Sequence, residues 1–161
     1  MTAVDVILQG LTASEALLLR HVNDLTPQEY LHRAAPTGNC TAWLIGHLTL
    51  TERRPLALLG QADLPTLPEG FEKRFARDAT APFANEFGDV SLLVPLFQKH
   101  RALLIDTVRR APAELLDKPL EKPHPMFATV GLMTNFMSFH TVLHTGQISM
   151  IRRTLGKPPT V

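Results

Sequence analysis

This chain has a single cysteine, Cys40, almost no net charge and no long uninterrupted apolar run. Each absence removes a class of function. One cysteine excludes an internal disulfide and any zinc cage built from thiolates. Cys40 itself reads either as a small apolar residue near a helix start or as a reactive thiol. Lys+Arg 16 against Asp+Glu 15 leaves a formal charge of +1. No segment gathers the basic residues into a stripe that would release counterions from phosphates, so nucleic acid is not an expected partner. The apolar stretches are broken well before the ~20 residues needed to span a bilayer, and the opening MTAVDVILQG carries no basic n-region. The chain therefore reads as a soluble cytoplasmic protein with no membrane partner.

What is present is 45% apolar content over 161 residues, ample for one core and a single domain over 1–161. Four helical patterns emerge, with no period-2 strand and no internal repeat. The first puts Val4, Ile7, Leu8, Leu11, Leu18, Leu19 and Val22 on one face. Thr26-Pro27-Gln28-Glu29 follows, a capping-box signature with Pro at the first helical position. The second helix starts near Asn39 or Thr41, carries Trp43, Leu44, His47, Leu48, Leu50 and Thr51 on one side, and is kinked or shortened by Pro55. The third spans about Ser91 to Arg110, with Leu92, Leu93, Leu96, Phe97, Leu103, Leu104 and Val108 inward and Gln98, Arg101 and Asp106 near or beyond the edges. A Pro-rich link leads to a fourth helix that Thr129 could cap and Gly156 could end. Its expected inner face is Leu132, Met133, Phe136, Met137, Leu143, Ile148 and Ile151, with Thr134, Ser138, Thr141, Thr145 and Arg152 opposite.

Residues 61–90 form the long connection, rich in Pro and charge, with Phe71, Phe75, Phe83 and Phe87 spaced through it. Roughly thirty residues reach about 100 Å when extended, so the chain can return to the far end of the bundle before the third helix begins. The expected fold is an all-α four-helix bundle, up-down-down-up, with this crossover between helices two and three. The segment serves either as a cover over one end or as a plain connection packed along the side.

His140 and His144 lie a little over one turn apart, so both imidazoles project from one face, as a divalent metal requires of neighbouring ligands. His47 sits centrally in another apolar stripe and is the leading third ligand. The competing reading is a set of satisfied core histidines, since an unpaired buried ring nitrogen costs roughly 1–3 kcal/mol. Neutral imidazole suits zinc, nickel, copper or iron, and three histidines leave positions open for water or substrate. His100 could be a fourth ligand, a base behind the ligands, or a core residue bonded to a backbone carbonyl. Trp43 and Thr51, one turn either side of His47, could line the pocket or simply pack. Gln147 could orient a ligand or be a surface amide. His21, His32 and His124 read as surface or capping residues. No acidic residue pairs with the metal face as a base, and Glu52 points away from it by helical spacing.

The segments NCTAWLIGHL at 39–48, EFGDVSLLVPLF at 86–97 and HTVLHTGQI at 140–148, followed by RRTLGKP, together resemble the DinB-like superfamily over nearly the whole chain. The resemblance implies an up-down-down-up four-helix bundle, often a homodimer, binding a divalent metal through three histidines. That role maps onto His47, His140 and His144, and His100 has no counterpart in it. Zinc or nickel leads among the metals, with iron, manganese and copper also compatible. Relatives include metal-dependent transferases and isomerases that use low-molecular-weight thiols such as mycothiol or bacillithiol. The functional expectation is a metal-dependent enzyme with thiol S-transferase or isomerase chemistry. The alternatives are a non-catalytic metal- or small-molecule-binding stress protein and a structural dimeric bundle with a vestigial site.

Overall fold

The computed structural model describes residues 1–77 and 87–160. Four long helices dominate: α1 (Ala3–Val22), α3 (Thr41–Leu58), α5 (Leu93–Arg110) and α7 (Val130–Thr154). Short helices α2 (Pro27–Tyr30), α4 (Phe71–Phe75) and α6 (Ala113–Asp117) lie in the connections. Among the described residues no helix is long and apolar enough to cross a membrane.

Local chemistry sets most boundaries. Thr2 and Asp5 cap α1 reciprocally, and Thr26 and Glu29 do the same for α2, each pair satisfying two orphan donors. The Thr129 hydroxyl accepts from the Leu132 N–H at the start of α7, and Gly156 takes φ 74° just past its end. Pro55 does not shorten α3, which runs on to Leu58. The proline falls in the last turn, so its missing N–H costs only the one ladder bond to the Thr51 carbonyl, and its own carbonyl still accepts from the Leu59 N–H. A single 3-10 turn at Val90–Leu92 precedes α5.

The Pro-rich link holds a hairpin that the sequence pattern did not reveal. Strand β1 (Pro119–His124) pairs antiparallel with β2 (Phe127–Thr129), placing Pro119 opposite Thr129 and His124 opposite Phe127. With two strands both are edges, where proline is tolerated, so the residue that argues against a central strand is uninformative here. His124 thus lies in a strand, stacked on Phe127 with ring centroids 3.9 Å apart.

The four long helices pack with α1 most extensively against α7 and α3 against α5, and with α3–α7 and α1–α5 contacts completing the ring. The core divides into two apolar clusters. One gathers Leu18, Leu44, Leu48, Phe97 and Ile148; the other gathers Leu11, Leu56, Leu104, Met133 and Met137. Between them runs a polar layer centred on Arg101, which is 0% exposed and sits 2.6 Å from Glu52 Oε1. The Arg101 guanidinium also donates to the Leu11 carbonyl, Ser14 Oγ and Thr141 Oγ1 at 2.8–3.0 Å. One side chain thereby ties all four helices together. Its placement at the edge of the third helix, expected from charge, is corrected: a guanidinium can be buried when every donor finds an acceptor.

Helix α7 is likewise rotated by about a quarter turn from its expected orientation. Thr134, Ser138, Thr141, Thr145 and Arg152 face inward, whereas Leu132, Phe139, Val142, Leu143 and Met150 are exposed. Thr134, Thr141 and Thr145 each donate to the carbonyl one turn back, so their hydroxyls enter the core already satisfied. His21 is also buried rather than superficial, its ring bonded to the Leu17 carbonyl and Thr160 Oγ1.

Candidate metal centre

The site begins with Gly46. A Cβ there would stand 2.3 Å from the Phe75 ring, so only glycine lets the ring approach α3 this closely. Phe75 belongs to α4 in the long connection, and Phe71, Phe75 and Phe87 are all buried against the bundle. The described parts of the segment, 61–77 and 87–90, dock through these rings; Phe83 lies outside the described residues. Docking brings the Phe75 carbonyl oxygen to 2.9 Å from His47 Nδ1. On the next turn back, Trp43 stacks face to face on the His47 ring with centroids 4.7 Å apart.

On α7, His140 and His144 present their rings edge-on to His47, at centroid distances of 5.3 and 5.4 Å. One ligand atom from each of the three histidines lies within 4.8 Å of the other two. Their Nδ1 atoms are all engaged from behind. The Thr51 hydroxyl gives its proton to the Leu48 carbonyl at 2.9 Å, so it accepts from His140 Nδ1 at 3.3 Å. Gln147 Oε1 accepts from His144 Nδ1 at 2.6 Å. With a carbonyl, a hydroxyl and an amide oxygen each holding an Nδ1 proton, every Nε2 carries a lone pair. Yet His140 Nε2 and His144 Nε2 stand 2.9 Å apart. Two lone pairs repel at that distance. A cation shared by the three nitrogens relieves the conflict, and the donor set therefore fits a divalent metal.

The electrostatics agree. Burial is the largest influence lowering the pKa of each ring. For His47 the Phe75 carbonyl opposes it and the Arg77 charge adds to it. His140 is pushed down to about 3 by burial, with His144, His47 and Arg101 adding to the effect. Neutral imidazole is the form that binds metal.

A cavity of about 380 Å3 opens beside His47 and His140, walled by Thr51, Arg54, Arg77 and the apolar side chains of Leu50, Phe127, Met133, Phe136 and Met137. Of the residues singled out in the sequence, Thr51 lines this cavity and Gln147 stands behind His144, while Trp43 backs His47. His100 is not brought to the cluster. Its Nδ1 donates to the Leu96 carbonyl at 2.9 Å and its Nε2 accepts from Arg53, which also donates to the Pro65 carbonyl. That is the core arrangement, and it anchors the long connection. Glu52 faces Arg101 in the polar layer.

Sequence reasoning missed Phe75, Arg54 and Arg77. Arg54 was within reach, because seven residues beyond His47 returns to the same helical face. Phe75 contributes a backbone carbonyl, which every residue possesses, so no side-chain signal marks it.

No curated protein matches the chain. The DinB superfamily profile matches residues 11–148, a span that contains His47, His140 and His144 together with most of all four long helices. The chain belongs to the DinB superfamily.

Proposed function

We propose that this protein is a metal-dependent enzyme in which His47, His140 and His144 hold one divalent ion, zinc or nickel foremost, for chemistry on a low-molecular-weight thiol. The observation that carries the reading is the convergence of three Nε2 lone pairs whose Nδ1 protons are all committed elsewhere. Bound there, the ion supplies Lewis acidity that lowers the pKa of a thiol or water. The chain's own residues do the rest. Phe75, Thr51 and Gln147 fix the tautomer and orientation of the three rings. Phe127, Met133, Phe136 and Met137 make much of the cavity lining apolar, which strengthens electrostatic interactions inside it.

The pairings of Arg101 with Glu52 and Leu11, of Thr51 with His140 and of Arg152 with the His21 carbonyl support the up-down-down-up connectivity. In that arrangement α1 runs with α7, α3 with α5, and each pair runs against the other. We also infer a homodimer through α7. Leu132, Phe139, Leu143 and Met150 follow one another at intervals of seven, four and seven, a continuous exposed seam at coiled-coil spacing. A second copy of the same seam can cover it about a two-fold axis.

The test is metal analysis of untagged protein, since an affinity tag loads nickel, followed by assays of thiols with electrophiles before and after chelation. Turnover lost with the metal and restored on adding it back supports the enzyme. Stoichiometric metal without turnover points instead to a non-catalytic binding protein, and absence of stoichiometric metal points to a structural bundle with a vestigial site.

A further inference from the structure

The cavity beside the histidines has a charge imbalance. Two arginines, Arg54 and Arg77, are among its lining residues and no aspartate or glutamate is. Among the described residues neither arginine forms an ion pair, and both are exposed at the surface end of the site. They arrive from different elements. Arg54 sits two turns beyond His47 on α3, on the face shared with Thr51, while Arg77 follows the α4 helix whose Phe75 carbonyl holds His47. The apolar lining comes mainly from other elements, Phe127 from β2 and Met133, Phe136 and Met137 from α7, with Leu50 from α3 as well. The cavity therefore combines two cationic side chains, from α3 and just after α4, with an apolar lining drawn mainly from β2 and α7.

From this juxtaposition we infer that the cavity binds a small carboxylic acid with an apolar body, its carboxylate held by Arg54 and Arg77 and its body against the Phe127–Met137 lining. The inference deepens the metal-dependent reading, whose substrate class it names. A guanidinium offers parallel N–H donors that match a carboxylate, and a charge-assisted pair is stronger than a neutral hydrogen bond. A volume of about 380 Å3 lies toward the small end of ligand pockets, about 300–1,000 Å3. Three neutral histidine ligands contribute no negative charge, so an anionic ligand also balances the site when a divalent ion is present.

The experiment is calorimetric titration of the full chain with butyrate, octanoate and hydrocinnamate, each against its primary amide, in metal-free and in zinc-reconstituted protein. At least one acid should bind metal-free protein about tenfold more tightly than its amide. Arg54→Gln and Arg77→Gln should each remove most of that preference while leaving amide binding unchanged, and Arg→Lys should restore part of it. Both positions are exposed, so the variants should keep the helical circular dichroism of the parent. Equal binding of acid and amide, no binding of any acid at millimolar concentration, or undiminished acid preference in both variants overturns the inference. Because the preference is read without metal, it is separable from the metal-dependent reading. Acid selectivity with no stoichiometric zinc keeps this inference and removes that one, and zinc binding without acid selectivity does the reverse.

Discussion

The Phe75 ring lies on Gly46, so close that a Cβ on the glycine would stand 2.3 Å from its Cδ1, and the same Phe75 offers its carbonyl oxygen to the Nδ1 of His47, the next residue along. The seat of the long connection and the orientation of the His47 ring are one contact. Gly46→Ala should therefore do two things. Overpacking costs about 1–3 kcal/mol and alanine returns about 1 kcal/mol of helix propensity, leaving a net loss of up to about 2 kcal/mol. Zinc affinity should fall as well, because the displaced carbonyl no longer orients the ring. Urea denaturation and competitive zinc titration check both, and a variant with parental stability and affinity would show that the ring is not seated there.

Arg101 and Glu52 form a buried pair at 2.6 Å, with exposures of 0% and 1%. Removing one partner strands the other in the core, so Arg101→Met or Glu52→Leu should each cost about 3–5 kcal/mol. The double variant should cost clearly less than the sum, since it leaves no uncompensated charge. A double-mutant cycle by urea denaturation reads the coupling; simple additivity would mean that the two groups do not depend on each other.

His144→Ala should abolish stoichiometric zinc binding while the bundle stays helical, because a site added to a large apolar core is not its main source of stability. Metal analysis alongside circular dichroism separates the two effects. Global unfolding of the variant would assign the metal a structural role.

Metal-free protein should be acid-sensitive in a defined window. Burial lowers the pKa of His47 and His144 and holds that of His140 at about 3, whereas free imidazole titrates near pH 6.5. Between those values the unfolded chain takes up protons that the folded state refuses, so stability declines as pH falls. It should be complete above about pH 6.5 and drain away toward about pH 3. Urea midpoints of metal-free protein, flat on the neutral side and falling on the acid side, check this, and a midpoint that rose on acidification would contradict it.

The α7 seam predicts a concentration-dependent dimer. Leu143→Lys and Phe139→Lys should shift sedimentation equilibrium toward monomer with little change in monomer stability, since both side chains are mostly exposed, at 61% and 62%. Unchanged association in both variants would place any dimer contact elsewhere.

Much of this architecture is written locally. The Thr26–Glu29 box, the Thr129 cap, the Gly156 stop and the one-turn spacing of His140 and His144 act over a handful of residues, where caps and helical geometry have few alternatives. The four helices and the three histidines were legible for that reason. Other features depend on partners far along the chain. Arg101 could be buried only because Glu52, Leu11 and Thr141, 49, 90 and 40 residues away, supply acceptors. The rotation of α7 followed from the same cause. Its exposed seam and its core face compete for the apolar residues, and threonines that bond back to their own helix can occupy the interior in place of leucines. Helix existence is a property of local spacing, but which face turns inward is decided by what the neighbouring helices offer it, and for Arg101 and α7 only the tertiary structure holds that information.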